Sequence, residues 1–443
     1  MLSRLLALTC LTAFLAACAH LPGAPDPAPT PAPTPAPATG PDTDSADGPP
    51  VVIMIGLDGL RYDAIDRHEA PNLRALAARG TRPERMVSVM PTKTFVNFYS
   101  LATGLYPEHH GMVSNSPYDR RLDETFSNSG GSPQDPRWWG GEPIWITAEQ
   151  QGLRSHIMFW LGSEVEINGT RPTVWHPYEH NKPYEERVAE VLSWFDAPIA
   201  EQPRFAAFYM DHVDTVEHRG GVETAAEGTA VGHVDDLVGE LVAGLEARGV
   251  MDRATIIIVS DHGMVNVSTE RTIAVDEFAD LDGLFIEEFA GQYGAGLEPF
   301  LMGFGDEATV ERIYTALQGA HPHMTAYRRQ DMPEHWHFDH VDRGPDLFIL
   351  ADPGWQITAS DTDLTNPYLA GLQATHGYDN LADEMGATFI GVGPIFPEGA
   401  RPAAFDNINV YGLIACALDL EPAETDGSAQ EVERITGGRC PAE

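Results

Sequence analysis

Thr255-Ile-Ile-Ile-Val-Ser260, followed at once by Asp261-His262-Gly263, decides the fold of this chain. Its centre is a run of β-branched residues with no polar alternation, the pattern of a strand buried on both faces. Val51 to Leu57 reads the same way and ends on Asp58-Gly59, and Phe205 to Met210 is a third such run, with Asp214 a few residues beyond. Helical patterns lie between them. Pro71-Asn72 opens one that runs through Leu73, Leu76 and Ala77 and stops at Gly80. Phe95 to Thr103 forms another, ended by Gly104, and Val231, Val234, Val238, Leu241, Val242 and Leu245 recur at helical spacing as far as Gly249. Strands alternating with helices predict an α/β fold with a mostly parallel central sheet covered by helices on both faces. Arg85 to Val89 reads as a further short strand and 118–139 as loop. Residues 265–375 read as irregular insertions at the rim, with short strands such as Leu347 to Leu350.

In an open sheet of this kind the carboxyl ends of the strands converge on one crevice. Asp58 and Asp261-His262 stand just after strands, and Asp214-Thr-Val-Glu-His218 spaces two ligand types four apart, on one face of a helical turn. His376 precedes Gly377, and Thr94 precedes a helix. Each has an ordinary alternative. An aspartate after a strand caps helices, a histidine satisfies core polar groups, and a threonine hydroxyl at a helix start caps a free amide. Taken together, carboxylate and imidazole ligands around one hydroxyl point to a two-metal phosphoryl-transfer site. A threonine hydroxyl is a poor nucleophile near neutral pH unless a base or metal activates it, and a helix N-terminus favours a bound phosphate.

The bulk properties narrow the partners. At 443 residues the chain is long enough for one large domain, and a formal net charge of −39 with no basic stripe speaks against duplex nucleic acid as a partner. Arg4 followed by the apolar stretch Leu5 to Ala17 reads as an export signal over residues 1–17, too short to span a bilayer. Leu15-Ala16-Ala17-Cys18 resembles a bacterial lipobox, with Cys18 as the lipidated mature N-terminus; a signal cleaved without lipidation is the alternative. Ala19 after the Cys implies sorting to the outer membrane, on its periplasmic or outer face. Residues 18–49 form a Pro/Ala/Thr-rich tether, and the catalytic domain is expected over 50–443. In an oxidising compartment Cys416 and Cys440 either pair, which would contribute about 3 kcal/mol for such a loop, or stay free thiols.

Met90-Pro-Thr-Lys-Thr-Phe-Val-Asn-Phe-Tyr-Ser100, continuing through Gly104-Leu-Tyr-Pro-Glu-His-His-Gly111 to Ser114-Asn115, resembles the nucleophile segment of the nucleotide pyrophosphatase/phosphodiesterase family of the alkaline phosphatase superfamily. Gly56-Leu-Asp58-Gly59, Ala70-Pro-Asn-Leu73, Phe159-Trp-Leu-Gly-Ser163, Glu166-Ile-Asn-Gly169, Ser260-Asp-His-Gly-Met264 and Thr375-His-Gly-Tyr378 extend the likeness from 51 to about 396. The resemblance implies an alkaline phosphatase-like fold and two zinc ions, one held by Asp214, His218 and His376, the other by Asp58, Asp261 and His262 with Thr94 as the bound nucleophile. It also implies that Asn115 and the backbone amide after the nucleophile donate to a phosphate oxygen, and that Phe95 and Tyr178 flank a nucleotide base; as plain sequence these two are core or surface aromatics. Val96 and Phe98 depart from the usual Pro and His, and Asp211-His-Val-Asp214 from the usual acidic-Pro-Asp, but no ligand is lost.

The activity implied is hydrolysis of nucleotide phosphodiester or pyrophosphate bonds through a phospho-threonine, releasing nucleoside monophosphates. A neutral Asn115, where superfamily monoesterases use Arg, suits a diester. The alternatives are a choline-phospholipid phosphodiesterase of the same family and a surface lipoprotein that binds metal or phosphate without turnover. His335, His337 and His340 make a tempting further metal cluster, read here as part of a structural or rim insertion.

Overall fold

The computed structural model describes residues 48–128, 130–289 and 296–442; the signal, Cys18 and nearly all of the tether lie outside the described residues. The elements that position the site are, in chain order, β1 (Val51–Leu57), α1 (Pro71–Arg79), α2 (Thr94–Thr103), β2 (Ser155–Met158), β3 (Val174–His176), β4 (Phe205–Met210), α3 (His212–Gly220), α4 (Ala225–Ala247) and β5 (Ala254–Val259). They are followed by β6 (Phe285–Ile286), β7 (Phe300–Phe304), α5 (Glu307–Leu317), β8 (Met324–Arg328), β9 (Leu347–Ala351), β10 (Phe389–Val392) and α6 (Val410–Leu418).

Six strands make the central sheet in the order β10-β5-β1-β4-β2-β3. All neighbours run parallel except β10, which pairs antiparallel with β5. Every residue of β1, β4 and β5 is buried, as an unalternating apolar strand requires of a sheet covered on both sides. One group of helices, α1, α3 and α4, packs together, while α6 packs on α2 and β1. The approach of α2 is close. A Cβ on Gly56 would stand 2.8 Å from a ring carbon of Phe98 and 3.0 Å from one of Trp160, so any other residue in β1 there must displace those buried rings.

Several boundaries differ from expectation. Only Met86–Val87 of the 85–89 segment is strand, paired parallel with Phe405–Asp406. The long helix starts at Ala225, because Thr224 accepts the amide of Glu227 and caps it. Segment 118–139 is largely irregular but carries a short hairpin, Tyr118–Asp119 with Glu124–Thr125. It is held by the buried guanidinium of Arg343, which donates to Asp119 Oδ2 at 2.9 Å and to the carbonyls of Gly111 and Trp138.

The largest correction concerns 265–375. This stretch builds an antiparallel four-stranded sheet, β6-β7-β9-β8, with α5 on it and a core of its own that includes Leu301, Ile313, Leu317 and Ile349. Its strands are short, and Gly303 interrupts β7, so no long run advertised the layer. Cys416 on α6 is bonded to Cys440 in the tail, with Cα atoms 6.1 Å apart. No helix among the described residues is long and apolar enough to cross a membrane.

Gly56→Ala is expected to lower unfolding free energy by ~1–3 kcal/mol, the usual cost of overpacking a filled core. Urea denaturation measures it; an unchanged midpoint would mean that α2 yields without cost.

Candidate metal centre and active site

Three adjacent strands of the sheet deliver the acidic and imidazole groups. Asp58 follows β1 directly, Asp214 sits on α3 after β4, and Asp261-His262 follows β5 by one residue. His376 follows a separate two-stranded ribbon, in which Ala374–Thr375 pairs antiparallel with Val265–Asn266 and packs on α3. Gly59 holds the junction together. Its φ is +73°, its amide donates to Asp261 Oδ1 at 3.1 Å, and a Cβ on it would lie 2.9 Å from Asp214 Cα.

Each histidine is oriented from behind. Nδ1 of His262, His218 and His376 faces the carbonyl oxygens of Gly263, Ala374 and Thr92 at 3.0, 2.8 and 2.7 Å. A carbonyl can only accept, so Nδ1 carries the proton and the neutral ring leaves Nε2 with a bare lone pair. Those Nε2 atoms confront carboxylate oxygens. His262 Nε2 is 2.8 Å from Asp261 Oδ2 and 3.6 Å from Asp58 Oδ1; Asp214 Oδ1 is 3.3 Å from His218 Nε2 and 3.7 Å from His376 Nε2. Yet Asp58 Oδ1, Asp214 Oδ1 and Asp261 Oδ2 are buried and accept no hydrogen bond. Lone pairs aimed at lone pairs are the arrangement of co-ligands.

The electrostatics agree. Burial, then repulsion from Asp261 and Asp214, pushes the Asp58 carboxyl well above the usual carboxylate range, and burial raises Asp261 too. Burial would raise Asp214 as well, but with no cation in place a proton on His218 Nε2 outweighs it and holds the group low, while Asp214 raises His218 in return; a bound ion would take that proton's place. Burial depresses His262 and, more strongly, His376, keeping both rings neutral. What the cluster lacks is positive charge. Divalent cations would supply it, and the nitrogen and oxygen donor set suits zinc.

The donors fall into two overlapping sets. Asp58, Asp261 and His262 offer ligand atoms within 4.8 Å of one another, and so do Asp214, His262 and His376. His262 thus belongs to both sets, and His218 joins the second through Asp214 and beside the His376 ring, 5.4 Å away. His335, His337 and His340 do not converge. His337 Nδ1 pairs with Glu108, His340 Nδ1 accepts the amides of Asp342 and Arg343, and His335 is exposed.

Thr94 is the first residue of α2, and Lys93, not Thr94, occupies the cap position. The hydroxyl is therefore not spent on capping; it stands 3.3 Å from His262 Nε2, at the edge of the cluster. The Phe95 amide donates to Asn115 Oδ1 at 2.9 Å. This alters the expected division of labour. The backbone amide after Thr94 is occupied in fixing the Asn115 side chain through Oδ1, which leaves Nδ2 as that side chain's donor group.

Tyr178 is 44% exposed at the rim, with its ring 5.6 Å from Phe159 and 6.1 Å from Tyr209. Tyr209 in turn donates its hydroxyl to Asp58 Oδ2, a link to the cluster that a tyrosine inside an apolar strand gave no sign of. Phe95 is half-buried, edge-on to Phe126 at 5.7 Å.

An α/β sheet whose parallel strand ends gather two ligand sets beside a threonine is the frame of the alkaline phosphatase-like hydrolases. Residues 52–379 match the family model for type I phosphodiesterase/nucleotide pyrophosphatase, and the chain belongs to that family. It is 35% identical to the venom phosphodiesterase of Naja atra over 381 residues, 85% of this chain and 45% of that protein. It is 34% identical to human ectonucleotide pyrophosphatase/phosphodiesterase family member 1 over 386 residues, covering 86% and 41% respectively. The chain thus spans less than half the length of these relatives. The murine ectonucleotide pyrophosphatase/phosphodiesterase 5 structure superposes with a TM-score of 0.79 at 29% identity, covering 87% of this chain and 99% of that one. An inactive threonine-to-alanine form of that protein has been solved in complex with AMP.

Stripping metal with a chelator is expected to lower the thermal midpoint, because three uncompensated carboxylate oxygens are left buried. Zinc at 100 times its Kd should restore about 2.7 kcal/mol. Calorimetry of stripped and reloaded protein checks this; identical midpoints would mean the cluster binds no ion.

Proposed function

We propose that this chain hydrolyses phosphodiester or pyrophosphate bonds of nucleotides and releases a nucleoside monophosphate. One observation carries the reading. The Thr94 hydroxyl, free of any capping bond, lies 3.3 Å from the histidine that belongs to both ligand sets. Family membership and the AMP complex of the murine relative support the substrate class.

In this reading the Thr94 oxygen bonds to phosphorus as the bond to the leaving oxygen breaks, in line. The resulting phospho-Thr94 ester is then cleaved by water with a second inversion, so configuration at phosphorus is retained overall. Two zinc ions, held by Asp214, His218 and His376 and by Asp58, Asp261 and His262, would acidify the hydroxyl, neutralise the transferred group and take the leaving oxygen's charge. The start of α2 presents its positive end to the phosphate. Asn115 Nδ2 donates to a non-bridging oxygen; being neutral, it fits a diester phosphate carrying one charge. Tyr178 and Phe95 offer aromatic faces for a base. The same reading takes the protein to be exported and lipid-anchored to the outer membrane through Cys18, on the sequence signal alone.

Thr94→Ala should retain metal content and thermal midpoint while hydrolysis of p-nitrophenyl thymidine 5′-monophosphate falls by at least ~1,000-fold, the scale of losing a nucleophile. Surviving turnover would remove Thr94 from its role. The wild-type protein is expected to prefer this ester to p-nitrophenylphosphorylcholine; the reverse preference would assign a choline-phospholipid phosphodiesterase, and turnover of neither a non-catalytic binder.

A further inference from the structure

Asn115, the amide read as the phosphate's hydrogen-bond donor, sits on an irregular segment, and what holds that segment comes from elsewhere in the chain. Glu287, in a single 3₁₀ turn just after β6, is 6% exposed and uses both carboxylate oxygens on the Asn115 segment. Oε1 accepts the Ser114 hydroxyl at 2.8 Å and Oε2 accepts the Tyr118 amide at 3.0 Å. Ser114 Oγ in turn accepts the Ser116 amide at 2.9 Å, so the hydroxyl is committed as a donor to Glu287. Ser114 and Tyr118, on either side of Asn115, are thus tied to one carboxylate 173 positions away from Ser114, and Ser116 is tied to it through the Ser114 hydroxyl. On its inner side Asn115 is fixed by the Phe95 amide.

Other contacts dock the same segment on the small sheet. The Tyr118 ring lies 4.7 Å from Phe285 and 5.1 Å from Phe304, and Arg120 donates to Asp346 at 2.9 Å. On the other side of Asn115, Val113 shares a hydrophobic cluster with Phe300, Met302 and Phe348 of that sheet. Among the described residues, the Glu287 carboxylate is the side chain of the small layer that reaches the residue adjoining Asn115. A donor aimed at developing charge is effective only while its position is fixed to a fraction of an ångström.

We propose that Glu287 is a positioning residue: by splinting Ser114 and Tyr118 it holds the Asn115 amide at the distance from Thr94 that phosphoryl transfer requires. The small antiparallel layer then contributes to the reaction without touching substrate. This rests on the reading of Asn115 as the phosphate donor.

The test is a double-mutant cycle on the zinc-loaded full chain, with p-nitrophenyl thymidine 5′-monophosphate as substrate. Asn115→Ala is expected to lower kcat by about 100-fold, the scale of a lost oxyanion donor. Glu287→Ala should lower kcat by ~10–30-fold with KM within about 2-fold, and Glu287→Gln, which keeps an acceptor, should recover part of the loss. In the Asn115→Ala background, Glu287→Ala should cost less than about 3-fold more, because the group it positions is gone. Ser114→Ala, a milder cut of the same splint, gives the same pattern if Glu287→Ala fails to fold. Multiplicative losses, or unchanged kcat in both Glu287→Ala and Ser114→Ala, would overturn the proposal. A wild-type protein without turnover of this ester would instead strike at the proposed function, so the two failures are separable.

Discussion

The constraint on which the structure turns is a concentration of bare lone pairs in a buried crevice. Three carboxylate oxygens without hydrogen bonds face imidazole nitrogens whose protons are committed to carbonyls behind them. Such a cluster is costly in a low-dielectric interior, and isolated ionised groups there would protonate or swell apart. The fold prevents the second outcome by anchoring the groups on rigid elements: strand ends for Asp58, Asp261 and His262, and a helix turn for Asp214 and His218. Strain of this kind is relieved by cations, so the same feature that costs stability confers affinity.

The sheet order explains why those groups meet at all. β5, β1 and β4 are neighbours, parallel and in register, so their carboxyl ends lie side by side at the centre of the molecule. α2 then brings Thr94 to the same end, and Gly56 lets its Phe98 ring press on β1. A separate two-stranded ribbon gives His376 to the cluster, and the small antiparallel layer gives Glu287 to the segment that bears Asn115.

How far the sequence could be read depended on what kind of signal each part leaves. Buried parallel strands announce themselves as unbroken apolar runs, so β1, β4 and β5 were legible, and with them the positions of Asp58, Asp214 and Asp261. The helix pattern of α4 was plain for the same reason, though its start needed the capping bond of Thr224. The small sheet was legible only in Leu347 to Leu350. Its other strands are two to five residues long and joined across wide gaps, so neither periodicity nor length marks the layer. Long-range polar contacts were equally silent: nothing around Glu287 or Tyr209 in the sequence shows that one reaches Ser114 and the other Asp58. The Thr94 hydroxyl carried an ambiguous signal, since capping and chemistry ask for the same residue at a helix start; only the geometry separates them.

The way the chain enters β1 has a mechanical meaning. Arg253 and Arg204 grip the carbonyls of Pro49 and Pro50, so a pull from upstream is borne at the first residues of the central strand. Asp58 lies at that strand's other end, roughly 20 Å away at ordinary strand rise. Load on the leading segment would be shared by the hydrogen bonds that β1 makes with both neighbours, in shear, before it could disturb the crevice. The clamped entry of the chain and the crevice thus lie at opposite ends of one strand, joined by its seven buried residues.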